Sequence, residues 1–223
     1  MHITVIAKAP VAGLVKTRLC PPCTPEQAAA LAAAGLADTM DNIDSMIETR
    51  HATRPSDAVR TLLLDGVPQH WMSPTWRVIA QRGEGLGDRL RNGFTDLGPG
   101  VITGMETPHV AALLDLALDA VAAGCDVLGP AEDGGYWVIG LCKRTVNCVA
   151  DVFDGVAMST STTGAQQLDR LRRIGRSTVS LPVARDLDDF ADLIAVANSG
   201  RRGRLATLAG AIVDGLPRRV VKV

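Results

Sequence analysis

The sequence predicts an α/β fold, and three observations carry that prediction. Short runs rich in β-branched residues alternate with longer stretches of helical period, the pattern of strands and helices taken in turn. The connections after the runs are dense in glycine, proline and charge, as expected of loops at the carboxyl ends of strands in an open α/β sheet. The third is size: 223 residues, 47% hydrophobic and 21% charged, can bury a continuous core, and no linker interrupts them. One domain is expected over 1–223, with C-terminal helices from about 186.

The elements follow in order. His2 to Ala7 reads as a strand, bounded by the turn formers Pro10 and Gly13. Thr24, Pro25 and Gln27 mark a helix start: a cap, a first-turn proline and half of a capping box. Ala28, Leu31, Ala32, Gly35, Leu36, Thr39, Ile43 and Met46 then share one stripe, predicting an amphipathic helix to about Thr49. Thr61 to Leu64 and Val78 to Gln81 read as strands. Leu86 to Phe94 reads as a helix entered through a glycine-rich turn. Val101 to Gly104 is a strand, followed by a helix with Val110, Leu113, Leu114, Ala117, Leu118 and Val121 on one face. Asp126 to Leu128 and Tyr136 to Leu141 are strands, and Ser159 to Ile174, Asp188 to Asn198 and Arg201 to Ile212 close the chain as helices.

The chain has 23 Lys and Arg against 24 Asp and Glu, a net charge of -1. That balance lacks the basic excess of a polyanion-binding surface, so neither nucleic acid nor membrane is expected as a partner. No apolar run approaches the roughly 18 residues needed to span a bilayer. The opening run passes straight into Lys8 without the apolar core of a signal peptide, so a cytoplasmic location is expected. The five cysteines, at 20, 23, 125, 142 and 148, then default to thiols.

The first loop, Lys8 to Leu19, carries three cations, Lys8, Lys16 and Arg18. An ATPase-type phosphate loop would need glycine where Pro10 and Val15 stand, so that motif is excluded. A cationic loop suited to a diphosphate remains, with a solvated basic loop as its alternative. Gly104-Met105-Glu106-Thr107-Pro108 delivers a carboxylate at a strand end, where it can hold Mg²⁺ beside phosphates or favour the next helix through its dipole. Gly129 to Trp137 places Glu132 and Asp133 with Gly134 and Gly135 in a tight connection, a density of special residues that favours a functional turn. Arg185 to Leu193 is acidic where a helix begins: Asp188 suits a cap, and Asp186 is free to reach a metal or hydroxyl.

Other chemistries are weaker. Cys20-Pro21-Pro22-Cys23 has redox spacing, and a zinc site would draw only on Cys142 and Cys148 as further ligands, so incidental cysteines are favoured. The histidines at 2, 51, 70 and 109 show no mutual metal spacing. There is no serine-hydrolase elbow, and Gly83-x-Gly85 lacks the third glycine of a dinucleotide fingerprint, Asp88 standing in its place.

Taken in register, Lys8-Ala9-Pro10-x-x-Gly13-x-Val15-Lys16-Thr17-Arg18-Leu19, Gly85-Leu86-Gly87-x-Arg89, Gly104-x-Glu106-x-Pro108 and Gly129-Pro130-x-Glu132-Asp133-Gly134-Gly135-Tyr136 resemble a bacterial glycosyltransferase family of uncharacterised function. It lies within the nucleotide-diphospho-sugar transferase superfamily, with the A-type glycosyltransferase fold. The likeness runs from residue 3 to about 195 and includes Met158-Ser159-Thr160 and Asp186-Leu187-Asp188.

The resemblance implies a three-layer α/β/α, Rossmann-like domain with a mostly parallel mixed sheet. Ala7, Pro10, Gly13, Lys16 and Arg18 match its nucleotide loop, and Gln81, Gly85, Leu86, Gly87 and Arg89 a second nucleotide-side segment. Glu106 matches a metal position that is commonly Asp, so its carboxylate lies one methylene further out. Metal ligation is thereby expected at Glu106, Asp133 and Asp186, catalysis at Lys16 and Asp133, and substrate contact at Gly134, Gly135, Tyr136, Ser159 and Asp188.

The expected activity is a transferase using Mg²⁺ or Mn²⁺ and a nucleotide-activated sugar, with a small-molecule acceptor; a homodimer is compatible with it. The superfamily also holds nucleotidyltransferases, including guanylyltransferases with a similar Lys-Thr-Arg-Leu segment. A transferase joining an NTP to a phosphorylated acceptor is therefore the alternative, and a non-catalytic nucleotide-binding module a third.

Overall fold

The structure is a computed structural model and describes residues 1–53 and 58–216. Strand β1 (His2–Lys8) is followed by helix α1 (Pro25–Thr53), strands β2 (Val59–Asp65) and β3 (Arg77–Ala80), helix α2 (Gly85–Leu97), strand β4 (Gly100–Thr103) and helix α3 (Ala111–Ala122). Then come β5 (Asp126–Pro130), β6 (Tyr136–Leu141), the one-turn helices α4 (Lys143–Val146) and α5 (Val149–Val152), α6 (Thr163–Arg173), β7 (Thr178–Ser180), α7 (Phe190–Ala197) and α8 (Arg204–Asp214). The sheet order is β3-β2-β1-β4-β6-β5-β7, and β6 runs antiparallel to both of its neighbours. The other pairings are parallel, so the mixed, mostly parallel sheet expected from the sequence is present.

Burial on both faces explains the apolar runs in the strands. Ile3, Val5, Leu62, Leu64, Val101 and Val127 point to the layer that contains α1 and α3. Their strand neighbours Leu63, Ile102, Leu128 and Ile139 pack on the other face with Phe94 of α2, Val152 of α5 and Leu171 of α6. The period of two along each strand thus fills two cores at once and makes three layers. A third cluster joins Leu19 and Leu31 to Leu187, Leu193 and Leu205, which seats the C-terminal helices against the start of α1.

The α1 capping box is complete: Gln27 N donates to Thr24 Oγ1 at 3.2 Å, and Thr24 N to Gln27 Oε1 at 2.8 Å. Three other helix starts differ from the sequence expectation. Helix α6 begins at Thr163 rather than Ser159, because hydroxyls compete for the backbone: Thr160 N donates to Thr163 Oγ1 at 2.9 Å, and that hydroxyl donates to Ala157 O at 2.8 Å. Helix α7 begins at Phe190 with Asp189, not Asp188, as its cap, since Asp192 N donates to Asp189 Oδ1 at 3.0 Å. Helix α8 begins at Arg204, where Asp38 of α1 accepts from Arg204 N at 3.1 Å and Leu205 N at 2.9 Å. Its cap therefore comes from a residue far away in sequence.

His2 is a buried polar group at the amino end of the interior strand β1, 2% exposed. Its Nε2 lies 3.1 Å from Gly98 O and its Nδ1 2.8 Å from Thr4 Oγ1. A carbonyl only accepts, so the proton sits on Nε2, and Nδ1 accepts from the Thr4 hydroxyl. Burial pushes the His2 pKa down from 6.5 to about 4. Between those values the unfolded chain binds the proton that the folded chain refuses, so stability falls as pH drops through that window. The expected loss is about 3 kcal/mol from this one group. Urea unfolding at pH 7, 5.5 and 4 checks it: His2→Gln should flatten the slope, and an unchanged slope refutes the assignment.

Candidate functional site

A cavity of about 600 Å³ opens at the carboxyl ends of β1 and β4, between the start of α2 and the start of β6. It brings together Ala7, Lys16, Arg18, Gln81, Gly85, Leu86, Arg89, Glu106, Tyr136, Ser159 and Asp188. Pro10, Gly13, Gly87, Asp133, Gly134, Gly135 and Asp186 stand outside its lining.

The first loop leaves β1 and turns at Gly13, whose φ of +78 suits glycine. Buried Val15 and Leu19 anchor it, and a single 3₁₀ turn spans Thr17–Leu19. Lys16 between these anchors adopts a left-handed conformation (φ 51, ψ 37), unusual for a non-glycine residue. Its Nζ donates to Glu106 Oε1 at 2.8 Å and to the Leu187 carbonyl, and lies 3.9 Å from Asp188 Oδ1. Arg18 is mostly exposed and pairs with Asp188 Oδ2 at 2.6 Å. Because Asp189 caps α7, the Asp188 carboxylate is free to take this role.

Gln81 is a fastener rather than a free ligand. Its Nε2 donates to Ala7 O at 2.7 Å and Leu63 O at 2.9 Å, closing the ends of β1 and β2. Its Oε1 accepts from Arg89 Nη1 at 3.0 Å, and the same nitrogen reaches Asp65 Oδ2 at 2.7 Å. Gly85 has φ +78 and starts α2, whose N-cap Glu84 makes no side-chain cap bond. The first N–H groups of α2 therefore carry the partial positive charge that suits an anion. Gly87 packs on Met158 instead of facing the cavity.

The acids come from later segments of the chain. Glu106 follows β4. In the β5–β6 connection, Asp133 Oδ1 accepts from Gly135 N at 2.8 Å, and Gly134 O accepts from Gly164 N at 2.8 Å. Gly134 has φ +87, and a Cβ there would lie 1.9 Å from Ser161 O, so this glycine is dictated by packing. The Tyr136 hydroxyl donates to Met158 Sδ at 3.7 Å, and burial raises its pKa. Ser159 is left-handed at φ 59. The Asp186 pKa is pushed up to about 6, first by burial and then by the negative charges of Asp133, Glu106 and Asp188.

That accumulation of carboxylate tests the fit to a divalent cation. The donors are all hard oxygens, and the charges of Asp133, Glu106 and Asp188 add to the burial that raises the Asp186 pKa. Among the described residues no three His, Cys, Asp or Glu side chains gather as an all-protein cage. The set therefore fits Mg²⁺ or Mn²⁺ held by one or two carboxylates, the rest of its shell being water and phosphate.

Two features of the site leave no signal in the sequence. One is the Leu187 carbonyl on Lys16, a backbone atom 171 positions away. The other is Asp65, the partner of Arg89, which ends β2 as an ordinary polar residue.

Fold and cavity together define an α/β protein of the nucleotide-diphospho-sugar transferase fold class. The chain belongs to a bacterial family described as an uncharacterized protein conserved in bacteria (DUF2064), whose model matches residues 45–160, just over half of it. Among solved structures it is similar to a "putative nucleotide-diphospho-sugar transferase" from Desulfovibrio desulfuricans G20, with TM-score 0.75, 25% identity and 95% of each chain covered. It also overlaps Rv0371c from Mycobacterium tuberculosis H37Rv, with TM-score 0.44, 19% identity, and 86% of this chain and 95% of that one covered. A CMP:2-keto-3-deoxy-manno-octonic acid synthetase complexed with CTP gives TM-score 0.47, 11% identity, and 96% and 99% coverage. Neither of these last two overlaps is close enough to bear on function. No curated protein matches the sequence.

Proposed function

We propose that the protein is a metal-assisted transferase that uses a nucleotide-activated sugar. One observation carries this reading: a single cavity is lined by Lys16, Arg18 and the uncapped start of α2 together with Glu106 and Asp188, the carboxylates on which the two cations are paired. Such a set suits a diphosphate held by cations, helix amides and a metal. The similar Desulfovibrio protein, described in those terms, supports it.

In this reading Lys16 and Arg18 neutralise the diphosphate, while Gly85 and Leu86 offer it backbone N–H groups. Glu106, with one of Asp133 and Asp186, would hold Mg²⁺ or Mn²⁺, which when bound supplies positive charge for the departing nucleoside diphosphate. Gln81 and Arg89 position the nucleotide side by locking β1, β2 and α2 together. Tyr136 and Ser159, facing the cavity, contact the sugar or a small-molecule acceptor. Gly134 and Gly135 act on substrate only through the shape they give the Asp133 turn. The reading takes residues 1–223 as one domain, and no helix of the described residues is long and apolar enough to cross a membrane.

A thermal-shift panel of nucleoside diphosphates, triphosphates and NDP-sugars, each with and without Mg²⁺ or Mn²⁺, tests this. A ligand at a hundred times its Kd adds about 2.7 kcal/mol to the native state, enough to raise Tm by several degrees. An NDP-sugar that shifts Tm and then yields free NDP supports sugar transfer. Pyrophosphate released from an NTP and a phosphorylated acceptor supports nucleotidyl transfer instead. Nucleotide affinity that ignores metal points to a binding module, and no shift across the panel overturns the reading.

A further inference from the structure

Lys16 is asked to do two things that it cannot do from one position. Its side chain is only 6% exposed, and its ammonium is ringed by oxygens: Glu106 Oε1 at 2.8 Å, the Leu187 carbonyl, and Asp188 Oδ1 at 3.9 Å. This is the kind of hard-oxygen environment that a divalent cation takes. The ammonium fills it with three N–H donors and one positive charge. A second cation on the same Glu106 oxygen would meet strong like-charge repulsion in this half-buried setting. The backbone at Lys16 is left-handed, a conformation unfavourable for a non-glycine residue, so the inward pose is held by its oxygen partners against local preference.

We propose that Lys16 is an internal counter-cation: in the nucleotide-free protein it occupies Glu106 and keeps a divalent cation off that carboxylate, and an arriving diphosphate draws the ammonium away. Metal and nucleotide then bind as a coupled pair, each raising the affinity for the other by the same factor. The inference rests on the reading of this cavity as a metal-assisted diphosphate site. It adds an order of events and a second duty for one residue.

The test uses the full chain without nucleotide, titrated with Mn²⁺ and read by the electron paramagnetic resonance signal of free Mn²⁺. Lys16→Met should bind Mn²⁺ at least about tenfold more tightly than the unmodified protein, within the range of ordinary coupling factors. Adding Glu106→Gln to Lys16→Met should abolish the gain. Equal affinity with and without Lys16 overturns the proposal, and so does a gain that survives Glu106→Gln. Should Lys16→Met fail to fold, Glu106→Gln alone gives a second readout. Lys16 should then be acetylated by an amine-reactive ester severalfold faster than in the unmodified protein, measured by mass spectrometry, and an unchanged rate overturns the proposal. Because no nucleotide is present, a failed nucleotide panel with an intact Mn²⁺ gain removes the proposed activity and leaves the counter-cation standing. The converse result removes the counter-cation alone.

Discussion

Lys16→Ala is expected to lower turnover of a nucleotide-activated donor by about 10²- to 10³-fold, the usual cost of removing one preorganised donor from a developing anion. The effect belongs to kcat more than to KM, because charge on the leaving diphosphate is greatest as the bond breaks. Stability should move far less, since the Glu106 partner is about one-third exposed and water can replace the ammonium there. The same variant should hold Mn²⁺ more tightly while turning over more slowly. General damage to the site would weaken both. Steady-state release of nucleoside diphosphate, measured beside urea unfolding, checks the split. Unchanged turnover and unchanged nucleotide affinity would remove Lys16 from the site's chemistry.

Gly134→Ala is expected to destabilise the fold by about 3 kcal/mol or more, in the range reserved for steric strain at a special backbone position. The added Cβ would stand 1.9 Å from Ser161 O, and φ is +87, so both contact and conformation oppose it. Gly13→Ala makes the control. It too has positive φ, +78, but nothing lies within 4 Å of its Cβ, so a loss of only about 1 kcal/mol is expected. Urea midpoints of the two variants at constant m-value give the comparison. A Gly134→Ala loss no greater than that of Gly13→Ala would show that the loop around Ser161 yields freely. The contrast also separates two reasons for paired glycines beside an acid: close packing against the Ser161 turn and contact with a substrate.

Local signals in the sequence were enough for most of the fold. The β2 run from Thr61 to Leu64 predicts a strand because both sheet faces are covered, and both are. Thr24 and Gln27 predict the start of α1 because their capping box closes over three residues. What stayed hidden depends on distant partners or on very short elements. Asp38 caps α8 across the chain, so the helix start cannot be read from its own neighbourhood. Three residues of β7 at the sheet edge carry too little pattern to announce a strand. At the site, the loops and their charges were legible, as was the convergence of the first loop, the α2 entry and Glu106 on one cavity. The pairing was not, because Lys16 on Glu106 and Arg18 on Asp188 join residues 90 and 170 positions apart.

That long span sets a timetable for biosynthesis. The cationic loop leaves the ribosome well before one of its oxygen partners, at Leu187, which lies 171 positions later. At about 5–20 residues per second the loop waits on the order of ten to thirty seconds for that partner. Until then, Lys16 and Arg18 belong to a nascent chain that carries the cations of the cavity without the segment that pairs with them. The cavity is therefore completed long after β1, the strand that it is built on, has been made.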